Sequence, residues 1–424
     1  MRLVKLLILL TSMILMLNQT HFKWVYEFLE YGQVSVWFQA LDSGRWLALA
    51  LFSLVLGFRA VSRKRLRTPH AFDAIALLFL GLALISSVYS ETPDITLQRG
   101  VSLSLLYIAV FWVVWDYVDR AGEVELLNVL IFSVAVIYFL GIIYINDPAV
   151  AWQERDGRFR GVLTNPNSLG LLTGLFLPLV LWRVMQYKRS TDIVLLGIMI
   201  LSLLFSGSRS GMLSSLVGAT YLLYHSQKRR WAAVLVAGAI YIIVSPHVVP
   251  HDPFSDDQPF QRLVSGFGTG SGRLDVWPLV LPLIQDRWVL GHGFGTEEFA
   301  FARAGYVFPE FQGSYFHNSY LGLAYQLGII GVLLFWGPLL IMFLWQLWGS
   351  RYDSKLSLSH VYETVLLAGL VSAMFESWVY SVGNAFSFPF WICVMLLVRR
   401  TVLERERSVR LPSTRPLIAS TVTS

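Results

Sequence analysis

Long apolar runs separated by short polar or charged joints recur from one end of the chain to the other. A helix that crosses a bilayer needs about 20 mostly apolar residues. Twelve stretches approach that length: 3–18, 45–61, 71–89, 100–117, 124–145, 161–184, 192–206, 211–224, 231–246, 318–346, 361–380 and 384–398. The first is short and follows Arg2 and Lys5, as a leader would. No small-x-small cleavage site comes after it, only Asn18-Gln19-Thr20-His21, so we read it as an uncleaved helix. Residues 22–44 mix Trp24, Tyr26, Tyr31, Trp37 and Phe38 with polar residues, the composition of a segment lying along a membrane surface.

The joints are unequal. One, 247–317, is far longer than the others and carries Pro, Gly and Asp clusters such as Gly266-Phe267-Gly268-Thr269-Gly270-Ser271-Gly272. Within it Val276, Leu279, Val280, Leu283 and Ile284 fall at helical spacing, which predicts short helices. A connection of that length in a compact protein is usually functional. The pattern therefore predicts an all-α polytopic integral membrane protein with about twelve transmembrane helices. Residues 1–246 hold about nine spans, 247–317 form one large loop, 318–398 hold about three spans, and 399–424 form a cytoplasmic tail.

Composition agrees with a lipid solvent. The residues AVILMFWYC make up 55% of the 424, before 32 glycines are added, and charged residues only 14%; soluble domains carry about 25% charged residues. Disorder, a coiled coil and a small disulfide scaffold are excluded, the last because Cys393 is the single cysteine. A net charge of +6 does not indicate nucleic acid, because the basic residues are not clustered on soluble segments. With the N-terminus inside, 20 Lys and Arg fall on inner joints and 11 on outer ones, which supports both ends in the cytoplasm.

The eleven outer residues are the exceptions to that rule: Lys23, Arg45, Arg99, Arg155, Arg158, Arg160, Arg209, Arg262, Arg273, Arg287 and Arg303. Ten of them are Arg, which binds phosphate through two parallel hydrogen bonds and never loses its charge. Arg158 and Arg160 precede Gly161, Arg209 sits in Ser206-Gly207-Ser208-Arg209-Ser210-Gly211, and Arg273 closes Gly270-Ser271-Gly272. Small neighbours let a bulky anion reach the backbone, which marks Arg160, Arg209 and Arg273 as candidate ligands of a phosphate-type group. Snorkelling or pairing with loop acids is the competing reading of each.

His317 stands where the long loop re-enters the membrane and can take a proton near neutral pH. The neighbouring Asn318 either orients a ligand or caps the helix that follows. His247 and His251 are spaced as a metal pair, but Pro250 intervenes and no third ligand is evident, so no metal site is expected. His292 lies in the turn Gly291-His292-Gly293. Glu376 is the clearest ionisable residue inside an apolar run, and the polar chemistry otherwise gathers at the outer face.

Taken in order, these motifs resemble the O-antigen ligase/polymerase superfamily. They are Arg160-Gly161 with Asn165-Pro166-Asn167, then Ser206-x-Ser208-Arg209-x-Gly211, then Ser271-Gly272-Arg273 with Trp277. Gly291-x-Gly293 follows, then His317-Asn318-x-Tyr320-Leu321 with Gln326-Leu327-Gly328 and Gly331. The resemblance covers about 150–335. Gln326 departs from it, standing where many members have Glu. The resemblance implies a bacterial inner-membrane enzyme, free of metal and cofactor, whose site faces the periplasm.

It implies as partners an undecaprenyl-diphosphate-linked O-antigen donor, the lipid A core as acceptor and membrane lipids, with no nucleic acid. The implied site has Arg160, Arg209 and Arg273 on the diphosphate and His317 as general base. Asn318, Tyr320, Trp277 and Arg158 are candidates for orienting substrate. The single long loop and the His317-Asn318 motif favour a ligase over an O-antigen or exopolysaccharide polymerase or a protein O-oligosaccharyltransferase. A lipid-linked sugar flippase is disfavoured, because no paired repeats with broken, charge-bearing helices are seen.

Overall fold

A computed structural model describes residues 1–20, 32–62, 66–154, 157–226, 228–244, 273–306, 315–349 and 356–410. Among these residues the chain is all-helical, with two isolated bridges and no strand. The helices are α1 (Arg2–Leu17), α2 (Gly32–Val61), α3 (Ala71–Ile85), α4 (Pro93–Ile108), α5 (Trp115–Ala121) and α6 (Glu123–Ile143). They continue with α7 (Pro166–Tyr187), α8 (Ser190–Ser206), α9 (Arg209–His225), α10 (Arg229–Val244) and α11 (Arg273–Asp286). The last three are α12 (Ser319–Gly349), α13 (Leu358–Ala373) and α14 (Ser387–Arg410). A wide π turn, Ala109–Val114, joins α4 to α5.

Every apolar stretch read from the sequence carries a helix. Six helical stretches among the described residues are long and apolar enough to cross a membrane: Gly44–Val61, Ala71–Val88, Pro93–Ala121, Glu123–Ile143, Pro166–Tyr187 and Ser319–Trp348. The helices α8 and α13 are apolar but shorter. The surface stretch expected over 22–44 is helical from Gly32 and runs without a break into α2. Most of the long loop, with His247 and His251, lies outside the described residues. Its described part holds α11 and the short turns Glu297–Phe299 and Ala300–Arg303.

The helix α7 is the hub. It is buried along most of its length and packs against α8, α9 and α13. Its contact with α9 is backbone to backbone: a Cβ on Gly170 would collide with Ser208, and one on Gly211 with Gly170 itself. Small residues permit this approach, which drives helix pairing where lipid supplies no hydrophobic force. Local signals set the start of α7. Asn165 accepts from the Ser168 N–H at 2.8 Å, and Pro166 occupies the first helical position, where its missing donor costs nothing. Many basic residues assigned to the inner side gather with acids at one end of the bundle. Arg67 and Asp73 pair at 2.5 Å, Arg183 and Asp192 at 3.0 Å, and Arg399 and Arg400 both bind Glu123.

Two departures from the sequence reading shape the other end. The run 361–380 is not one helix: α13 stops at Ala373, and residues 374–386 form successive turns before α14. Glu376 therefore lies in a connection and not within a span. The run 318–346 is broken at Gly328, whose φ of 60° and ψ of −164° no helix contains. The segment 288–293 is laid into that break. The N–H groups of Ile329 and Ile330 donate to the carbonyls of Trp288 (2.9 Å) and Val289 (3.5 Å), while those of His292 and Gly293 donate to the carbonyls of Tyr325 and Gln326, both at 2.9 Å. Irregular backbone at membrane depth is tolerated where protein satisfies it in this way. The fit requires glycine: a Cβ on Gly291 would strike the Gln326 backbone, and one on Gly328 the Val289 carbonyl.

Candidate functional site

A cavity of about 610 Å³ opens between the middle of α2, the middle of α4 and the start of α7 on one side and the segments 294–297, 315–317 and 376–386 on the other. Arg45, Arg99, His317, Glu297 and Glu376 line it, with Asn165 and Asn167. Its lining is strongly polar, whereas two further pockets along α3 and α12 are walled mostly by apolar side chains.

His317 precedes α12 in a left-handed conformation, φ 50°, uncommon for a residue with a Cβ. Such strain persists only where the surroundings enforce it. The enforcement comes from the turns after α13. Glu376 Oε2 lies 3.2 Å from His317 Nδ1. The Ser319 hydroxyl donates to the Glu376 carbonyl at 2.6 Å and accepts from the Trp378 N–H at 3.2 Å. The Asn318 N–H donates to Ser377 Oγ at 3.1 Å. The Asn318 side chain accepts from the N–H groups of Tyr320 and Leu321, so it caps α12.

Glu297 lies beneath this pair, and no water reaches most of it. Its Oε1 accepts from the Phe316 N–H at 2.9 Å and the Ser377 hydroxyl at 2.6 Å. Its Oε2 accepts from the Tyr380 hydroxyl at 2.9 Å and Gln326 Nε2 at 3.3 Å. Burial pushes this carboxyl above the usual carboxylate range. The donors from Ser377, Phe316 and Tyr380 pull it back, and burial prevails. Gln326, the departure from the family pattern, also accepts from the Gly295 N–H at 2.6 Å and so ties the 293–297 turn to α12.

Positive charge reaches the cavity through two arginines. Arg99 donates to Glu298 at 2.5 Å and to the Gly295 carbonyl. Arg45 lies over Gly383, where a Cβ would sit 2.5 Å from its Nη1. Glu298 also accepts from the Tyr315 hydroxyl at 2.7 Å.

The expected site residues divide. His317 lines the cavity; Arg158, Arg160, Arg209, Trp277, Asn318 and Tyr320 do not. The buried guanidinium of Arg160 donates to the carbonyls of Val150 (3.0 Å) and Ala149 (2.7 Å). Arg158 donates to the Ser206 carbonyl at 2.6 Å and to Asn167 Oδ1 at 2.8 Å, holding a cavity-wall residue in place. Arg209 opens α9 directly after the Ser208 cap. The side chain of Arg273 lies outside the described residues. Trp277 donates to the Phe316 carbonyl at 3.2 Å. Tyr320 donates to the Leu370 carbonyl at 2.9 Å and stacks on Trp336.

Arg45, Arg99 and Glu297 are not among the site residues expected from the sequence. Both arginines stood among the outer basic residues and both adjoin a glycine, Gly44 and Gly100, so the same signal would have selected them. Nothing in the sequence marked Glu297.

Residues 194–336, a third of the chain, match the family model described as O-Antigen ligase. The match runs from α8 into α12 and includes Arg209, Glu297 and His317, but not Arg45, Arg99 or Glu376. No curated protein matches the chain.

Proposed function

We propose, with membership of the O-antigen ligase superfamily as the premise, that the protein is a glycosyltransferase of the inner membrane. It moves O-antigen from undecaprenyl diphosphate to a sugar hydroxyl of the lipid A core. The observation that supports this most is the His317–Glu376 pair in a cavity that also receives Arg45 and Arg99. A carboxylate at Nδ1 favours the tautomer protonated there and leaves Nε2 as the basic nitrogen.

The acceptor oxygen attacks the anomeric carbon, the bond from that carbon to the diphosphate oxygen breaks, and its electron pair leaves with the diphosphate. The hydroxyl proton passes to His317 Nε2. Negative charge grows on the departing diphosphate, so fixed guanidinium groups favour the transition state over the bound donor. Arg45 and Arg99 take that role in this reading, with Arg209 and Arg273, both in the matched segment, as further ligands of the diphosphate. Arg160 and Arg158 brace the wall. The cavity faces the periplasm, and neither metal nor cofactor enters the scheme.

The test is transfer by purified protein in nanodiscs from a defined undecaprenyl-diphosphate donor, with lipid A-core and a second lipid-linked repeat competing as acceptors. Product on the core identifies a ligase; product only on the lipid-linked repeat identifies a polymerase and overturns the choice of acceptor. His317→Ala removes a general base, a loss on the order of 10²–10⁴-fold. Normal turnover by that variant would place the base elsewhere.

A further inference from the structure

The segment that fills the break in α12 also presents an apolar edge outward. Trp288 is 61% exposed and Leu290 45%, with Val289 between them also exposed. This edge does not stand alone. The Leu290 carbonyl accepts from the Tyr89 hydroxyl at 2.8 Å, which fastens it to the end of the candidate span Ala71–Val88. The Ile329 N–H bond to Trp288 fastens it to the candidate span Ser319–Trp348. On those spans the neighbouring side chains are exposed as well: Val88 at 86%, Leu333 at 63%, and Ile85 and Ile329 beside them. The three elements are joined by these hydrogen bonds, each presents exposed apolar side chains, and two of them carry candidate spans.

Level follows from helix length. The stretch Ser319–Trp348 has 30 residues, which at 1.5 Å each is about 45 Å, longer than the roughly 30 Å hydrocarbon layer. The 20 residues below Gly328 cover that layer by themselves. The break, and with it Trp288, then stands at the boundary between acyl chains and headgroups, where tryptophan is enriched. Asp286 and Arg287 immediately precede the edge and are well exposed, as charges at headgroup level would be.

We propose that the turn Trp288–Leu290 is seated in the lipid bilayer, so that this part of the long loop is a membrane-inserted element and not a soluble one. Its partner is the acyl and headgroup boundary of the leaflet on the cavity side. The backbone continues from this turn directly to Gly295 and Glu297, which bind Arg99 and hold His317 in place. If the proposed function holds, the seat fixes the catalytic level relative to the headgroup of a lipid-linked donor.

The experiment reads depth and not activity, so it stands or falls independently of the transfer assay. In the full chain with Cys393→Ala, reconstituted in phosphatidylethanolamine/phosphatidylglycerol nanodiscs, nitroxide labels are placed by Trp288→Cys and Leu290→Cys. Asp286→Cys and Leu333→Cys serve as references. Collision with oxygen and with a water-soluble nickel chelate is measured by electron paramagnetic resonance. The expected result is a ratio of oxygen to nickel accessibility at 288 and 290 several-fold above that at 286, and on the side of 333. Nickel accessibility at both positions equal to that at 286 overturns the proposal. Should Trp288→Cys not assemble, Leu290→Cys gives the same reading.

Discussion

Glu297 offers the sharpest test of how the site is held. Four donors converge on it from three segments: Phe316 N–H from the approach to α12, Gln326 from within α12, and Ser377 and Tyr380 from the turns after α13. Glu297→Ala removes the shared acceptor and leaves all four. An unsatisfied buried donor costs about 1–3 kcal/mol, which sets a ceiling of about 4–12 kcal/mol. The side chain borders a cavity, so water enters and recovers part of this, and a buried carboxyl no longer has to be desolvated. We expect a net loss of about 2–4 kcal/mol. Glu297→Gln keeps the volume and one acceptor oxygen. Its NH₂ group must face either Phe316 N–H and Ser377 or Tyr380 and Gln326; hydroxyls reverse their bonds readily, but neither the Phe316 N–H nor the Gln326 amide, whose oxygen is held by the Gly295 N–H, can, so one N–H goes unpaired either way and the loss is about 1–2 kcal/mol. The assay is reversible unfolding in mixed dodecyl sulfate micelles, compared with the parent. Glu297→Ala within about 0.5 kcal/mol of the parent, the range of an ordinary surface change, would refute the convergence.

The same carboxyl carries a pH dependence. Its folded value is raised by burial. Between the ordinary carboxylate value and that raised value, the folded chain holds a proton that the unfolded chain has released. Its contribution is fully present at low pH and is lost as pH rises through the window. Glu297→Gln is expected to flatten that part of the unfolding profile, and an unchanged slope would assign the titration elsewhere. Arg160→Lys reaches one of the two carbonyls at Val150 and Ala149 and should cost about 1–2 kcal/mol in stability while folded protein keeps transfer within a few-fold; undiminished stability with transfer abolished would return Arg160 to the diphosphate. Gly291→Ala drives a Cβ into the Gln326 backbone at positive φ and should cost upwards of about 2 kcal/mol, measured in the same micelle titration. Transfer should persist after prolonged chelation with EDTA, and a loss reversed by added divalent ion would require a metal.

The helices were legible because an apolar run of span length allows little else, but hydropathy alone does not place their ends: the run taken from 161 becomes helical only at Pro166, where Asn165 caps it. What hydropathy alone did not show were the interruptions. Gly328 sits in a run of even hydropathy, and only a second segment, 40 residues earlier in the chain, supplies the hydrogen bonds that make breaking the helix tolerable. The end of α13 was hidden for a similar reason. Trp378, Val379 and Tyr380 extend the apolar run, yet they are buried in the protein and do not continue a span.

The site divided along the same line, between what a residue is and what meets it. His317 is identifiable from its type and its place before a helix. The arginines are identifiable as a class, because charge on the side the sequence assigns as outer defies the topology rule, but the class does not say which guanidinium faces a cavity. Arg160 and Arg99 have the same chemistry and the same glycine neighbour. One donates to two carbonyls of its own loop, while the other reaches across to Glu298 and Gly295 and lines open space. A carboxylate is harder still. Glu297 and Glu376 gain significance from hydroxyls, amides and an imidazole brought from distant segments, and no local spacing encodes that. The consequence is physical: where a membrane protein keeps charge away from lipid, each buried acid requires donors from several elements at once. Such acids therefore mark where the tertiary structure converges, and Glu297 and Glu376 do so around His317.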